Sequence, residues 1–175
     1  MLENIAKKLA LISEVTGKTL AWLTLLMVAT TFTIVLLRYG FNTGWIAMQE
    51  SVNYMHAMVF MLGAAYAYKH NTHVRVDIFY NKFSAEKKAW VNLLGNIFLL
   101  APICIFILYA SFDYVAIAWK IKEASAETAG LPFAYLLKTV IPLMALLLLV
   151  EALADSLRQI IQLQGTPISR QKNPS

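Results

Sequence analysis

Three histidines, ten carboxylates and one cysteine are the residues whose types could support chemistry in this 175-residue chain. They are densest in Lys69–Lys88 (KHNTHVRVDIFYNKFSAEKK), which holds His70, His73, Arg75, Asp77 and Glu86. Alternation of His73, Arg75 and Asp77 with Val74, Val76 and Ile78 predicts an extended segment with one polar edge. Val76, Phe79, Tyr80 and Phe83 then fall at helical spacing, as in a short helix lying at a membrane surface. His56 stands apart inside an apolar run. A haem iron there would need a second axial ligand at similar depth on a facing helix, and His70 and His73 lie at the opposite surface. Polar packing or a helix–helix hydrogen bond suits His56 better. Cys104 is the one cysteine, which excludes an internal disulfide and a thiol metal cluster. Walker, Rossmann, HExxH and nucleophile-elbow patterns are absent. No residue is expected to be catalytic, and no cofactor or metal is expected on this chain.

The elements that must position these residues are four apolar runs. Thr19–Leu37, Ser51–Tyr68 and Ala89–Phe112 carry no charge, and Leu131–Leu149 carries only Lys138. Crossing about 30 Å of hydrocarbon takes roughly 20 helical residues, so each run is long enough to span. A β-barrel would need short alternating segments, and these runs do not alternate. The composition agrees, being 59% hydrophobic and only 14% charged, too few polar residues to cover a soluble domain. The expected fold is therefore all-α, an integral membrane four-helix protein with short interfacial helices. One membrane domain covers 1–165, with spans near 19–39, 50–68, 88–113 and 132–155, and a flexible polar tail covers 166–175. The first run is read as an uncleaved span, because it is too long for a signal peptide and Arg38-Tyr39 follows it.

Basic residues gather on the cytoplasmic side of short loops. With four spans, eleven of the fifteen Lys and Arg residues fall on the face of the termini and middle loop, and four (Arg38, Lys120, Lys122, Lys138) on the other. Both termini are thus expected in the cytoplasm, and the basic balance needs no nucleic-acid partner. On the outer face, Gly40 and Gly44 are expected to form the first turn, with Trp45 at the interface. Arg38 and Glu50 bracket that turn and could pair. The 113–130 connection has room for a surface helix, and Gly130-Leu131-Pro132 marks the start of the last helix. Lys138, roughly 9 Å further on, is shallow enough to snorkel. Glu151, Asp155 and Arg158 fall at the cytoplasmic end, so no carboxylate is left at the midplane to drive a proton-coupled pump. Ser84 is a suitable N-cap for the third helix. Pro102 and Pro142 are expected to bend their helices. Small residues on the second helix (Ala57, Gly63, Ala64, Ala65, Ala67) would let another helix approach closely, so a partner protein is expected.

The chain resembles the small membrane subunit of tripartite ATP-independent periplasmic (TRAP) transporters. The resemblance is carried by Trp45, Gln49-Glu50, His56-Ala57, Phe60 through Tyr66 (FMLGAAY), His73 through Tyr80 (HVRVDIFY), Gly130-Leu131-Pro132 and Lys138. It is nearest the branch labelled for mannitol or chloroaromatic compounds, with 2-oxo acid transporters among its relatives. It implies a bacterial inner-membrane scaffold without enzymatic activity. A large membrane subunit would import an organic acid, driven by sodium ions bound on that partner, after a periplasmic substrate-binding protein has captured it. Trp45, Gln49 and Glu50 would then face outward, and His73, Arg75 and Asp77 would shape the cytoplasmic connection. The remaining alternatives are a membrane anchor of an electron-transfer complex, which a haem spectrum would reveal, and a small multidrug-type exporter, which would depend on Asp113 or Glu151.

Overall fold

A computed structural model describes residues 2–72 and 80–165. The fold is all-helical, with four long helices and no strand among the described residues. Helix α1 is Leu2–Phe41, α2 is Ile46–Lys69, α3 is Ala85–Ile121 and α4 is Ala134–Leu163. Helices α1, α3 and α4 are long and apolar enough to cross a membrane. Helix α2 has 24 residues, about 36 Å of helix, but Gln49, Glu50, Asn53 and His56 make it more polar. It packs on both α1 and α4, which also contact each other, while α3 packs mainly on α4, so α4 is the element that contacts all three others.

The interior is built from small residues. On α1 the inward seam is Ala6, Ala10, Ser13 and Leu20, all buried, with Gly17 completing a three-four spacing. Gly17 lies so close to the Tyr66 ring that an added Cβ would sit 2.3 Å from two ring atoms. On α3, Ala89, Asn96, Cys104, Ser111 and Ala118 are buried, and α4 contributes Ala145, Ala152 and Ala154. Lipid removes most of the hydrophobic drive between helices, so close backbone approach through small side chains does the packing. Large apolar residues point outward instead: Trp22 is 74% exposed, Phe32 68%, Phe106 67% and Tyr109 84%. No buried residue occurs on α1 beyond Leu20.

The α3 seam runs 89, 96, 104, 111, 118, a seven-residue repeat with one extra residue between 96 and 104. The chain absorbs that extra residue in a wide turn, Asn96–Leu100, where the Ala101 N–H returns to the Asn96 carbonyl five residues back. Pro102 explains its location: proline has no N–H for the residue 98 carbonyl and its ring crowds that carbonyl, and a π-turn relieves both. The bend expected at Pro102 thus takes the form of a widened turn that keeps one seam against α4.

Several terminal details differ from the sequence expectations. The first turn is made by Asn42, at φ 53, with the Thr43 N–H returning to Leu37 O at 3.1 Å. Gly40 belongs to α1 and Gly44 is not strained. Helix α3 itself runs through residues 113–121, so no separate surface helix forms there, and it ends on Lys122 at φ 51 with the Glu123 N–H on Ala118 O. Helix α4 begins at Ala134, after Pro132, with Phe133 as its cap. Ser84 does cap α3, its hydroxyl accepting from the Lys87 N–H at 3.4 Å. The surface helix expected around Val76–Phe83 falls largely outside the described residues.

Candidate functional site

Two groups of polar side chains tie the helices together, one at each end of the bundle. The start of α1, the end of α2, the start of α3 and the end of α4 meet at what is here the basic end. There Glu14 on α1 accepts from Lys69 Nζ at 2.7 Å, from the His70 ring at 3.0 Å and from Lys18 at 3.1 Å. Lys69 also donates to Ala10 O at 3.0 Å. This cluster lies beyond the α1 span, and Lys69 first, then His70 and Lys18, hold the Glu14 carboxyl down to about 2. It fastens α1 to α2 without help from the intervening turn.

A second tie at the same end centres on Asn96, buried at the π-turn. Its amide donates to Asp155 Oδ2 at 3.0 Å, Ser156 Oγ at 3.3 Å and Ala152 O at 3.5 Å on α4, and its carbonyl oxygen accepts from the Tyr68 hydroxyl of α2. One amide thus joins three helices. Asp155 continues to Gln159 at 3.1 Å and, more distantly, to Arg158 at 3.8 Å. Arg158 reaches back two turns to Glu151 Oε1 at 2.6 Å. Glu151, expected among end-of-helix charges, is completely buried, and among the described residues its Oε2 has no hydrogen-bond partner. A carboxylate in such surroundings costs several kcal/mol, roughly, unless it is paired, which is the work Arg158 performs.

At the opposite end Glu50 is the organiser. It accepts from the Ser125 hydroxyl and from the Leu131 N–H at 2.6 Å, which pins the α3–α4 connection to the first turns of α2. The expected Arg38–Glu50 pair is not formed: Glu50 is taken by the loop, and Arg38 has no ion-pair partner among the described residues. Gly130 is needed for this closure, since an added Cβ would lie 2.5 Å from Ser125 Oγ and 2.7 Å from Glu50 Oε2. Lys138 donates to both oxygens of Glu123, at 2.5 and 2.6 Å, and sits 4.1 Å from the Tyr114 ring centre. Lys138 thus reaches from the second turn of α4 to a carboxylate of the α3–α4 connection, where its charge is paired. Trp119 donates to Thr139 Oγ1 at 2.8 Å and packs edge-on against Tyr135.

The remaining sequence candidates divide clearly. Trp45 is the cap residue of α2, 66% exposed, and Gln49 is exposed beside it. His56 is exposed and lies against Phe60 with ring centres 6.3 Å apart; among the described residues it makes no hydrogen bond to another helix of this chain. His73, Arg75 and Asp77 lie outside the described residues. No group of three or more His, Cys, Asp or Glu side chains that could hold a metal ion occurs among the described residues.

The geometry therefore defines a class: a multi-pass helical membrane protein whose polar side chains fasten helices to one another and whose large apolar side chains face outward. Residues 27–162 match the family described as "Tripartite ATP-independent periplasmic transporters, DctQ component", and the chain belongs to that family. It is a multi-pass protein of the bacterial inner membrane. A Haemophilus influenzae protein with the provisional name TRAP transporter small permease protein is 32% identical over 83 residues, 47% of this chain and 50% of that protein. The chain thus spans about half the length of the curated relative it matches. No solved structure matches the chain.

Proposed function

We propose that this chain is the small permease subunit of a sodium-coupled TRAP transporter, and that it acts as a rigid scaffold for a large membrane subunit. That subunit imports an organic acid handed over by a periplasmic binding protein. The observation that carries the proposal is the use to which the polar groups are put. Glu14, Asn96, Glu50 and Glu123 are all engaged in ties between helices or between a helix and its connection. A body built this way resists deformation and presents apolar surface for a neighbour, which is what a fixed frame requires. Family membership supports the assignment, and the blocks Phe60–Tyr66 and His73–Tyr80 favour the mannitol, chloroaromatic or 2-oxo acid branch. The basic end is assigned to the cytoplasm on the strength of its Lys and Arg excess.

The test is uptake in proteoliposomes under an inward sodium gradient. The chain with a large subunit and binding protein should accumulate organic acid, whereas omission of this chain should abolish or strongly reduce accumulation. Equal uptake without it would remove the scaffold role.

A further inference from the structure

Helices α2 and α3 are bridged through Asn96 but do not pack along their lengths, and the gap between them has two contiguous parts. Near the basic end it is a polar pocket of about 320 Å³ lined by Lys69, Asn71, Asn81, Asn92, Asp155 and Gln159 together with Tyr68 and Tyr80. Beside it runs a groove of about 460 Å³ whose walls are Val91, Gly95, Leu99, Leu100 and Ile103, with Asn96 at its edge. The two parts share Tyr68, Tyr80 and Asn92, so they form one continuous site, polar at the end of the bundle and apolar along α3. From Val91 to Ile103 the groove follows about 18 Å of helix, well into the hydrocarbon. The pocket is of a size that can take a small polar group, and the groove beside it is an open channel on the outer surface of α3.

We infer that this site holds one phospholipid with an amine-bearing zwitterionic headgroup, its headgroup in the pocket and an acyl chain in the groove. The shape requires an amphiphile, because neither a water-soluble ligand nor an apolar helix matches both parts. The charges select the headgroup. Among the described residues the pocket lining carries one cation, Lys69, whose charge is shared with Glu14 at 2.7 Å, and one anion, Asp155, whose oxygens also accept from Asn96 and Gln159. Sites for strongly anionic lipids are clusters of Lys and Arg, and among the described residues Lys69 is the basic residue of the lining. One positive and one negative side chain with neutral amides between them complement a phosphate and an ammonium. Gly95 lines the groove, and an added Cβ there would meet nothing within 4 Å, so a substitution can begin there without a backbone clash.

The experiment is native mass spectrometry of the purified full chain in dodecyl maltoside, titrated with 1-palmitoyl-2-oleoyl phosphatidylethanolamine or with the phosphatidylglycerol of the same chains. One phosphatidylethanolamine should bind, more tightly than phosphatidylglycerol. Gly95→Phe should weaken binding of both lipids about tenfold or more, with helicity by circular dichroism unchanged. Asp155→Asn should leave binding but reduce the preference for the amine headgroup to about twofold or less, because the charge-assisted bond to the ammonium is lost. Equal binding to wild type and Gly95→Phe would overturn the inference, as would an amine preference that survives Asp155→Asn. Loss of the lipid from the chain once a large subunit is bound would also overturn it, by giving the groove to a protein segment.

Discussion

Replacing Gly17 by Ala should destabilise the protein even though it places a better helix former in the middle of α1. Alanine gains about 1 kcal/mol over glycine in a helix interior. Against this, the new Cβ would lie 2.7 Å from Cβ of Tyr66 and 2.3 Å from its Cδ2 and Cγ, the last two more than 1 Å inside the ordinary contact distance of 3.4 Å. The clashing atoms are the inner part of the Tyr66 side chain, which cannot swing aside like a flexible tip. Either α1 and α2 separate or Tyr66 leaves its position, 4.3 Å from the His70 ring centre, beside the Glu14 cluster. Overpacking of this kind costs ~1–3 kcal/mol and the ion-pair geometry suffers as well, so the net change should be a loss of about 1–2 kcal/mol. Unfolding in mixed detergent micelles with rising dodecyl sulfate, followed by circular dichroism, reads this directly. Tyr66→Ala should relieve the clash, giving a favourable coupling of about 1–2 kcal/mol in the double-mutant cycle. A Gly17→Ala protein as stable as wild type, or an additive cycle, would refute the close α1–α2 seam.

Three further outcomes follow from the ties. Asn96→Ala removes the donor to Asp155 and Ser156 and the acceptor of the Tyr68 hydroxyl, and should lower the unfolding free energy by about 1–3 kcal/mol while leaving helicity intact. Gly130→Ala should loosen the loop held by Glu50, seen as faster limited proteolysis between residues 122 and 133 with little change in global stability. The Glu14 carboxyl is depressed from an ordinary 4.5 to about 2, so its ionised form is favoured by folding. Its contribution is complete above pH 4.5 and is lost as pH falls towards 2; Glu14→Gln should flatten the fall in stability over that window.

The helices were legible because uncharged runs of membrane-spanning length leave few other solutions in lipid. Ser84 was legible as a cap because capping is local chemistry. The ties were harder to see because they are not local. Glu14 and Lys69 are 55 residues apart, and Glu14 sits in a stretch whose own composition suggests only a solvated helix start. The seam Ala6, Ala10, Ser13, Gly17, Leu20 would have placed it next to the inward face. Asn96 could have been suspected as a strongly polar side chain inside the third apolar run, six residues before a proline. Glu50 stands out in the sequence, and Arg38 is the nearest opposite charge along the chain, but two groups in the distant α3–α4 loop satisfy it. Glu151 was placed by counting along α4, and distance along a helix does not say which way the side chain faces.

The central claim is that this chain is a frame and not a carrier, and sodium-gradient uptake by the reconstituted chain tests it most directly. Proteoliposomes holding this chain alone should show no organic-acid accumulation above protein-free vesicles, and accumulation should begin only when a large subunit and binding protein are added. Sodium-dependent uptake by the chain alone would contradict the account.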